Sequence, residues 1–421
     1  MKDKLKSRKV QAILVPIIAI LVSLAAGAIV LLCLGKNPIN AYKNILQGAG
    51  LLLKPSYAET KGLITDFFSL LNMWTPMLFA SLAVAVALKA GLFNIGVAGQ
   101  MLTAGYVSTV IVGYSPMNEF LAKPLVLIIG ILVGALVGGF IGWLKYRYNI
   151  NEVVSSIMIN YIAQYIISFL ITMYSINPVS RQSNPVNKTA RLTLVDIKVG
   201  GYKMDIPLSI IFAILLVFVI RFLLNRTKVG FELKAIGESK NAAKYAGINV
   251  GNNIVLAMAI SGALAGLAGV TYYLGYFGSI QPKVLPSMGF DSIAVALLGN
   301  ANPVGILFSS LLISIINKGS TYMSSTAGVE AEITSVIIGI ILLFSACSFY
   351  IREKLDKIGT KGKEKTTNRA EKDGEDLNNE ECRKDTNKEE KSMKVKQGTE
   401  NKNINNMDNN TARNKEDKWN Q

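Results

Sequence analysis

Apolar runs of about membrane length, separated by short polar segments, fill the chain as far as about Tyr350. They lie at 10–34, 66–88, 101–112, 125–144, then a run opened by Asn151-Glu152, then 207–224, 254–274, 289–299, 304–316 and 333–348. About 20 apolar residues cross a bilayer as a helix. The pattern predicts an all-α, polytopic membrane protein of about ten transmembrane helices, or eight to nine if short segments are re-entrant. Pro76 falls inside the second run, where it removes one helix hydrogen bond and is expected to kink the span. Gly130, Gly134, Gly138 and Gly142 recur every four residues on one helix face, and Ser261, Gly262, Gly266 and Gly269 mark a second small-residue face. Small residues at such spacing let helix backbones approach closely.

Charge sets the expected orientation. The arm 1–9 carries Lys2, Lys4, Lys6, Arg8 and Lys9, and the run after it is longer than the core of a signal peptide. It reads as an anchor with the arm inside. Arg221 and Arg226 place the segment after the sixth run inside, and Arg352, Lys354 and Lys357 do the same for the tail. Six crossings before that segment and four after it satisfy all three, provided 289–299 and 303–317 count separately. Outer loops are then expected at 35–63, 175–205 and 275–287. The second, with Pro178, Pro185, Arg181, Lys188 and Arg191, is long and polar enough to meet an external protein, although its basic residues run against the positive-inside bias.

Of the 421 residues 51% are hydrophobic and mean hydropathy is +0.37, averages that conceal a division. The membrane domain is expected over 10–351, and 352–421 is a tail of Lys, Glu, Asn, Asp and Thr too polar to bury a core, hence expected to be disordered. The net charge of +16 sits mostly in the arm, the inner loops and the tail, so it reads as topology, with contact to anionic lipid, and not as nucleic-acid binding. The absence of His removes imidazole acid–base chemistry and His metal sites. Cys33, Cys347 and Cys382 are too far apart for zinc spacing or a disulfide framework. No G-x-x-x-x-G-K-[ST] occurs, since Gly359-Thr-Lys-Gly-Lys363 is too short, and no nucleophile–base set is visible. No cofactor is implied, and a membrane enzyme or scaffold is disfavoured.

Four stretches carry more information. In 225–252, the sequence TKVGFELKAIGESKNAAKYAGINV is Lys-rich, with apolar or small residues at Leu233, Ala235, Ile236, Ala242, Ala243, Tyr245, Ala246 and Ile248, and with Gly237 and Gly247 breaking the pattern. Ser239 suits the N-cap of a short helix that Gly247 ends. In 89–100, Gly91, Gly96 and Gly99 surround Asn94 and Gln100 near membrane depth, where non-helical backbone is tolerated only against protein or a watery path. The bland alternative is a tight turn capped by Asn94. In NEVVSSIMINYIA, Asn151 suits an N-cap and Glu152 the first helical turn, while Asn160, about two turns in, needs a partner, whether a neighbouring helix or the substrate path. Asp291 opens the short run GFDSIAVALLG and either caps it or touches a polar substrate.

These stretches resemble the permease subunits of ABC importers, in the family of branched-chain amino acid, ribose and nucleoside permeases. Leu233, Lys234, Ala235, Gly237, Glu238, Asn241, Ala242, Ala243, Gly247, Ile248 and Asn249 match the coupling loop. The contiguous GLFNIG-x-x-GQ at 91–100 is similar to the nucleoside-type branch, as are NEVVSSIMINYIA and the segment from Asp291 through 293–299. The resemblance implies a transport subunit without its own ATPase. Cytoplasmic ATP-binding subunits would dock on Gly237, Glu238, Asn241, Ala242, Ala243 and Gly247. A second permease subunit, copy or paralogue, would complete the pathway, and an extracellular binding protein would deliver a nucleoside or simple sugar, or a branched-chain amino acid. Candidate pathway residues are Phe93, Asn94, Gln100, Asn160 and Asp291. Both termini would be cytoplasmic in a bacterial plasma membrane. The competing expectation is an ATP-independent carrier, which the broken stretch at 91–100 permits but which lacks a charged relay.

Overall fold

The computed structural model describes residues 8–55, 59–199, 202–328, 333, 335–341 and 343–344. The start of the basic arm, residues 1–7, and the polar tail at 352–421 lie outside the described residues.

Helices α1 (Arg8–Cys33) and α2 (Pro38–Gly48) come first, then α3 (Glu59–Lys89) and α4 (Val97–Ser108), the latter extended by a π-helical turn, Thr109–Gly113. Helices α5 (Glu119–Tyr148) and α6 (Glu152–Leu170) follow, and α6 also ends in a π-helical turn, Ile171–Ser175. After strands β1 (Thr193–Val199) and β2 (Tyr202–Pro207) come α7 (Ser209–Arg226), α8 (Lys228–Glu238), α9 (Lys240–Tyr245) and α10 (Val250–Val270). A third π-helical segment, Thr271–Phe277, prolongs α10 before α11 (Met288–Leu298) and α12 (Pro303–Ala327). Among the described residues six helices are long and apolar enough to cross a membrane: Gly62–Lys89, Glu119–Tyr148, Glu152–Ser175, Ser209–Arg226, Val250–Phe277 and Pro303–Ala327. Ile20–Cys33 and Pro38–Gly48 form a further pair bent by 116°, and Val97–Gly113 and Met288–Leu298 are shorter apolar helices.

The centre of the fold is α3. Its residues from Met77 to Ala87 are all buried, and Pro76 sits inside a helix that runs on through it. Both glycine faces meet as their spacing predicts. A Cβ at Gly134 would overlap the carbonyl oxygen of Gly262, one at Gly138 that of Met258, and one at Gly266 that of Gly130. So α5 and α10 pack backbone to backbone. Gly139 points elsewhere, with only Ala259 Cβ at 3.6 Å. Helix α12 lies against α2 at Gly319 and Gly48, and is tied to α3 where Trp74 Nε1 donates to Ser310 Oγ at 2.8 Å. The first turn of α11 meets the first turn of α4, where a Cβ at Gly289 would stand 2.7 Å from Ala98 Cα.

Two expected loops contain regular structure. Residues 38–48, within the outer loop expected at 35–63, form α2, which has Pro38 in its first turn and is capped by Asn37, whose Oδ1 accepts from Ile39 N. The loop expected at 175–205 contains an antiparallel hairpin, with Thr193 opposite Pro207 and Ile197 opposite Met204, inside an otherwise helical fold. Its first strand, TLVDIKV, is rich in β-branched residues and precedes Gly200-Gly201, the composition of a hairpin. Thr193 Oγ1 donates to Asn72 Oδ1 at 2.9 Å and fixes the hairpin to α3.

Candidate functional site

The segment between α7 and α10 folds into two capped helices, where the sequence predicted one. Thr227 Oγ1 accepts from Gly230 N at 3.2 Å and starts α8. The chain breaks at Ser239, whose backbone is extended, and Ser239 Oγ accepts from Ala242 N at 3.3 Å to start α9. Gly247, at φ +79°, closes α9 by donating to Lys244 O at 3.1 Å, while Ile248 N donates to Ala243 O at 3.0 Å. Asn249 then caps α10. Each cap satisfies amides that a helix start leaves free.

The inner face of this pair is apolar. Leu233 is buried with Ala87, Ala90, Leu92, Ile141 and Met258, and Asn253 Nδ2 on α10 donates to Glu232 Oε2 at 2.8 Å. The outer face presents Glu238, Asn241, Ala242 and Gly247, together with two aromatic rings, Phe231 at 68% and Tyr245 at 93% exposure. Gly237 and Glu238 end α8, whereas Ala243 is buried beneath α9. The role of Gly237 differs from a simple break: it is helical, and a Cβ on it would overlap Lys89 O and stand 3.1 Å from Gly91 N. Gly91, at φ +68°, is its counterpart in the turn that leaves α3. The Phe231 exposure had no separate signal in the sequence, since an aromatic in a helical pattern also reads as core.

From Gly91 the chain runs without helix to Gly96, inside the protein. Asn94 is buried and spends both amide hydrogens, on Gln100 Oε1 at 3.1 Å and Ser261 Oγ at 2.8 Å. Its Oδ1 accepts from Gly96 N at 2.9 Å. Ser261 Oγ passes a hydrogen bond to Ala83 O at 2.6 Å. Asn160 on α6 accepts from Gly99 N at 2.8 Å and donates to Ile95 O at 3.0 Å. The structure therefore brings Asn94, Gln100 and Asn160 into one region of mutual and backbone bonding around the α4 start. Phe93 is half-buried beside them in sequence.

Asp291 lies apart from that region, in the first turn of α11. Its Oδ2 accepts from Asn317 Nδ2 at 3.2 Å, which ties α11 to α12. Both residues line a cavity of about 300 Å³, walled also by Tyr272, Tyr276 and Phe277 from the π-helical end of α10 and by Lys318.

Membrane-length helices round a buried α3, interrupted by an exposed and doubly capped helical pair, define the membrane domain of a multi-pass protein. The chain belongs to the family described as the permease component of branched-chain amino acid transport systems, whose model matches residues 67–346. It is 34% identical over 375 residues to the nucleoside ABC transporter permease protein NupB of Lactococcus lactis, covering 87% of this chain and 100% of that protein. It is 35% identical to the guanosine ABC transporter permease protein NupP of Bacillus subtilis, over 84% of this chain and 99% of the other. The glucose ABC transporter permease protein TsgB13 of Haloferax volcanii is 26% identical over 80% of this chain and 88% of its own length.

Proposed function

We propose that this chain is the permease subunit of a nucleoside-importing ABC transporter, with α8 and α9 as the surface on which a separate ATP-binding subunit docks. The observation that carries the reading is the seat of α8. Gly237 touches the Lys89 carbonyl and Gly91 with no side chain between, so displacement of α8 acts directly on backbone. The next residues, 92–96, lead into the bonded start of α4. A push on Glu238, Asn241, Ala242 or the Phe231 and Tyr245 rings would thus reach the membrane helices through rigid contacts. The substrate assignment draws on the two relatives named for nucleoside and guanosine transport.

In this reading the arm, the α8–α9 pair and the tail are cytoplasmic, in keeping with Lys145, Arg147, Arg221 and Arg226. The hairpin and residues 176–192 face outward and receive an extracellular binding protein. A second permease subunit completes the pathway. The chain supplies no ATPase chemistry; hydrolysis belongs to the docked subunit.

The test is purification of the tagged chain from its native membrane, with mass spectrometry of what accompanies it and uptake of radiolabelled guanosine by the same cells. Recovery of a P-loop ATPase that is lost on replacing Glu238 and Phe231 supports the reading. A chain recovered alone that moves guanosine in ATP-free vesicles refutes it in favour of an ATP-independent carrier.

A further inference from the structure

The cavity beside Asp291 has a composition that fits a nucleoside, and the inference drawn from it rests on the importer reading above. Its aromatic wall depends on the π-helical segment Thr271–Phe277. The wider i→i+5 register puts residues four and five apart on one face. Tyr272, Tyr276 and Phe277 accordingly cluster, with ring centroids 4.8 Å apart for Tyr272–Phe277 and 4.8 Å for Tyr276–Phe277. The opposite wall is polar. Asp291 gives one carboxylate oxygen to Asn317, which leaves its second oxygen and the Asn317 amide oxygen as neighbouring acceptors. A second cavity of about 180 Å³ adjoins through Tyr272, Phe277 and Ser287. A volume of about 300 Å³ is at the small end of ligand pockets.

We infer that this cavity is a transit subsite for a nucleoside, with the base stacked on the Tyr272–Tyr276–Phe277 wall and a two-donor edge of the ligand held by Asp291 and Asn317. Two edges have that chemistry: the ribose diol and the N–H pair of guanine. A branched-chain amino acid fits less well. The rings offer stacking to a planar base, which an aliphatic side chain does not present.

The experiment measures uptake of radiolabelled guanosine, 2′-deoxyguanosine and adenosine in cells whose own gene is replaced by variants, with the abundance of the chain and its recovered ATPase as controls. Phe277→Ala and Tyr272→Leu each lower guanosine uptake roughly tenfold, the size of one lost stacking partner. Tyr272→Phe, which keeps the ring, restores it. Phe277 is 54% exposed, so its truncation removes little buried surface, and the abundance of the chain reports on folding. Asp291→Asn lowers guanosine uptake comparably. If that loss spares 2′-deoxyguanosine, the carboxylate holds the ribose; if it spares adenosine, it holds the guanine edge. Wild-type guanosine uptake in Phe277→Ala, Tyr272→Leu and Asp291→Asn alike overturns the subsite and leaves the importer reading standing. Uptake of leucine and not guanosine by the unmodified cells overturns both.

Discussion

Replacing Gly237 by Ala tests the contact on which force transmission depends. The new Cβ meets Lys89 O and Gly91 N, the latter at 3.1 Å, and lies 3.2 Å from Lys89 C. Carbon contacts are comfortable at about 3.5–4.0 Å. The obstructing atoms are backbone and have no rotamer to adopt, so α8 has to withdraw. Overpacking of this kind costs about 1–3 kcal/mol. If the whole cost falls on one of the two states between which the importer alternates, their ratio changes about 5- to 150-fold. Gly139→Ala, in α5 and off the docking face, is the matched control. A Cβ there meets only Ala259 Cβ, at 3.6 Å, an ordinary contact, and α8 stays in place. The assay is guanosine uptake at equal membrane abundance, alongside recovery of the ATPase. Gly237→Ala is expected to lower uptake about fivefold or more, while Gly139→Ala stays within about twofold of wild type, since its methyl displaces nothing. Equal effects of the two, or full uptake by Gly237→Ala, would refute the argument.

Other sites give sharper structural outcomes. Gly134→Ala forces a Cβ onto the Gly262 carbonyl and should lower thermal stability in detergent by about 1–3 kcal/mol, whereas Gly139→Ala, whose nearest neighbour is Ala259 Cβ at 3.6 Å, should change it by under about 0.5 kcal/mol. Asn160→Leu strips the partners from Gly99 N and Ile95 O and should cost about 1–3 kcal/mol for each polar group left buried, read as the same thermal shift. Lys145→Ala breaks the ion pair with Glu152, in which both side chains are largely buried, and should cost about 1–3 kcal/mol, since only the helix dipole is left to offset the buried carboxylate.

Which parts of this were legible beforehand follows from what sequence periodicity encodes. Nearly every apolar run fell on a helix because chain length and hydropathy set membrane helices directly. The Gly130–Gly142 spacing named a face, and that face met Gly262 and Gly266 because only small residues permit the approach. The caps at Ser239 and Asn151 are readable as local chemistry, whereas Asn249 carries only the family match and its cap is seen first in the structure. Helix α8 was missed since its polar, Lys-rich composition has no membrane signal and its break falls at Ser239, not at either glycine. The hairpin was hidden by its position in a polar loop, although TLVDIKV followed by two glycines carried the signal. The π-helical segment Thr271–Phe277 has no sequence mark at all, because its hydrogen-bond register depends on packing around it.

That last segment also favours, under the proposed subsite, one of two candidate stretches for the substrate path. Asn94 and Asn160 attract attention as amides at membrane depth, yet each bonds the protein on both its oxygen and its nitrogen side. A substrate reaching them would have to replace bonds already made, at about 1–3 kcal/mol for each group left without a partner. Asp291, Asn317 and the π-helical rings stand the other way round: they are partly exposed, they line open space, and they keep acceptors free. The first group is suited to holding the α4 start rigid against α6 and α10. The second is suited to brief, weak contacts that a passing solute can make and leave. Substitution at Asn94 should therefore lower stability and uptake together, and substitution at Phe277 should lower uptake with stability unchanged. Measuring both quantities for both variants separates framework from pathway; loss of uptake at unchanged stability for Asn94→Ala would reverse the assignment.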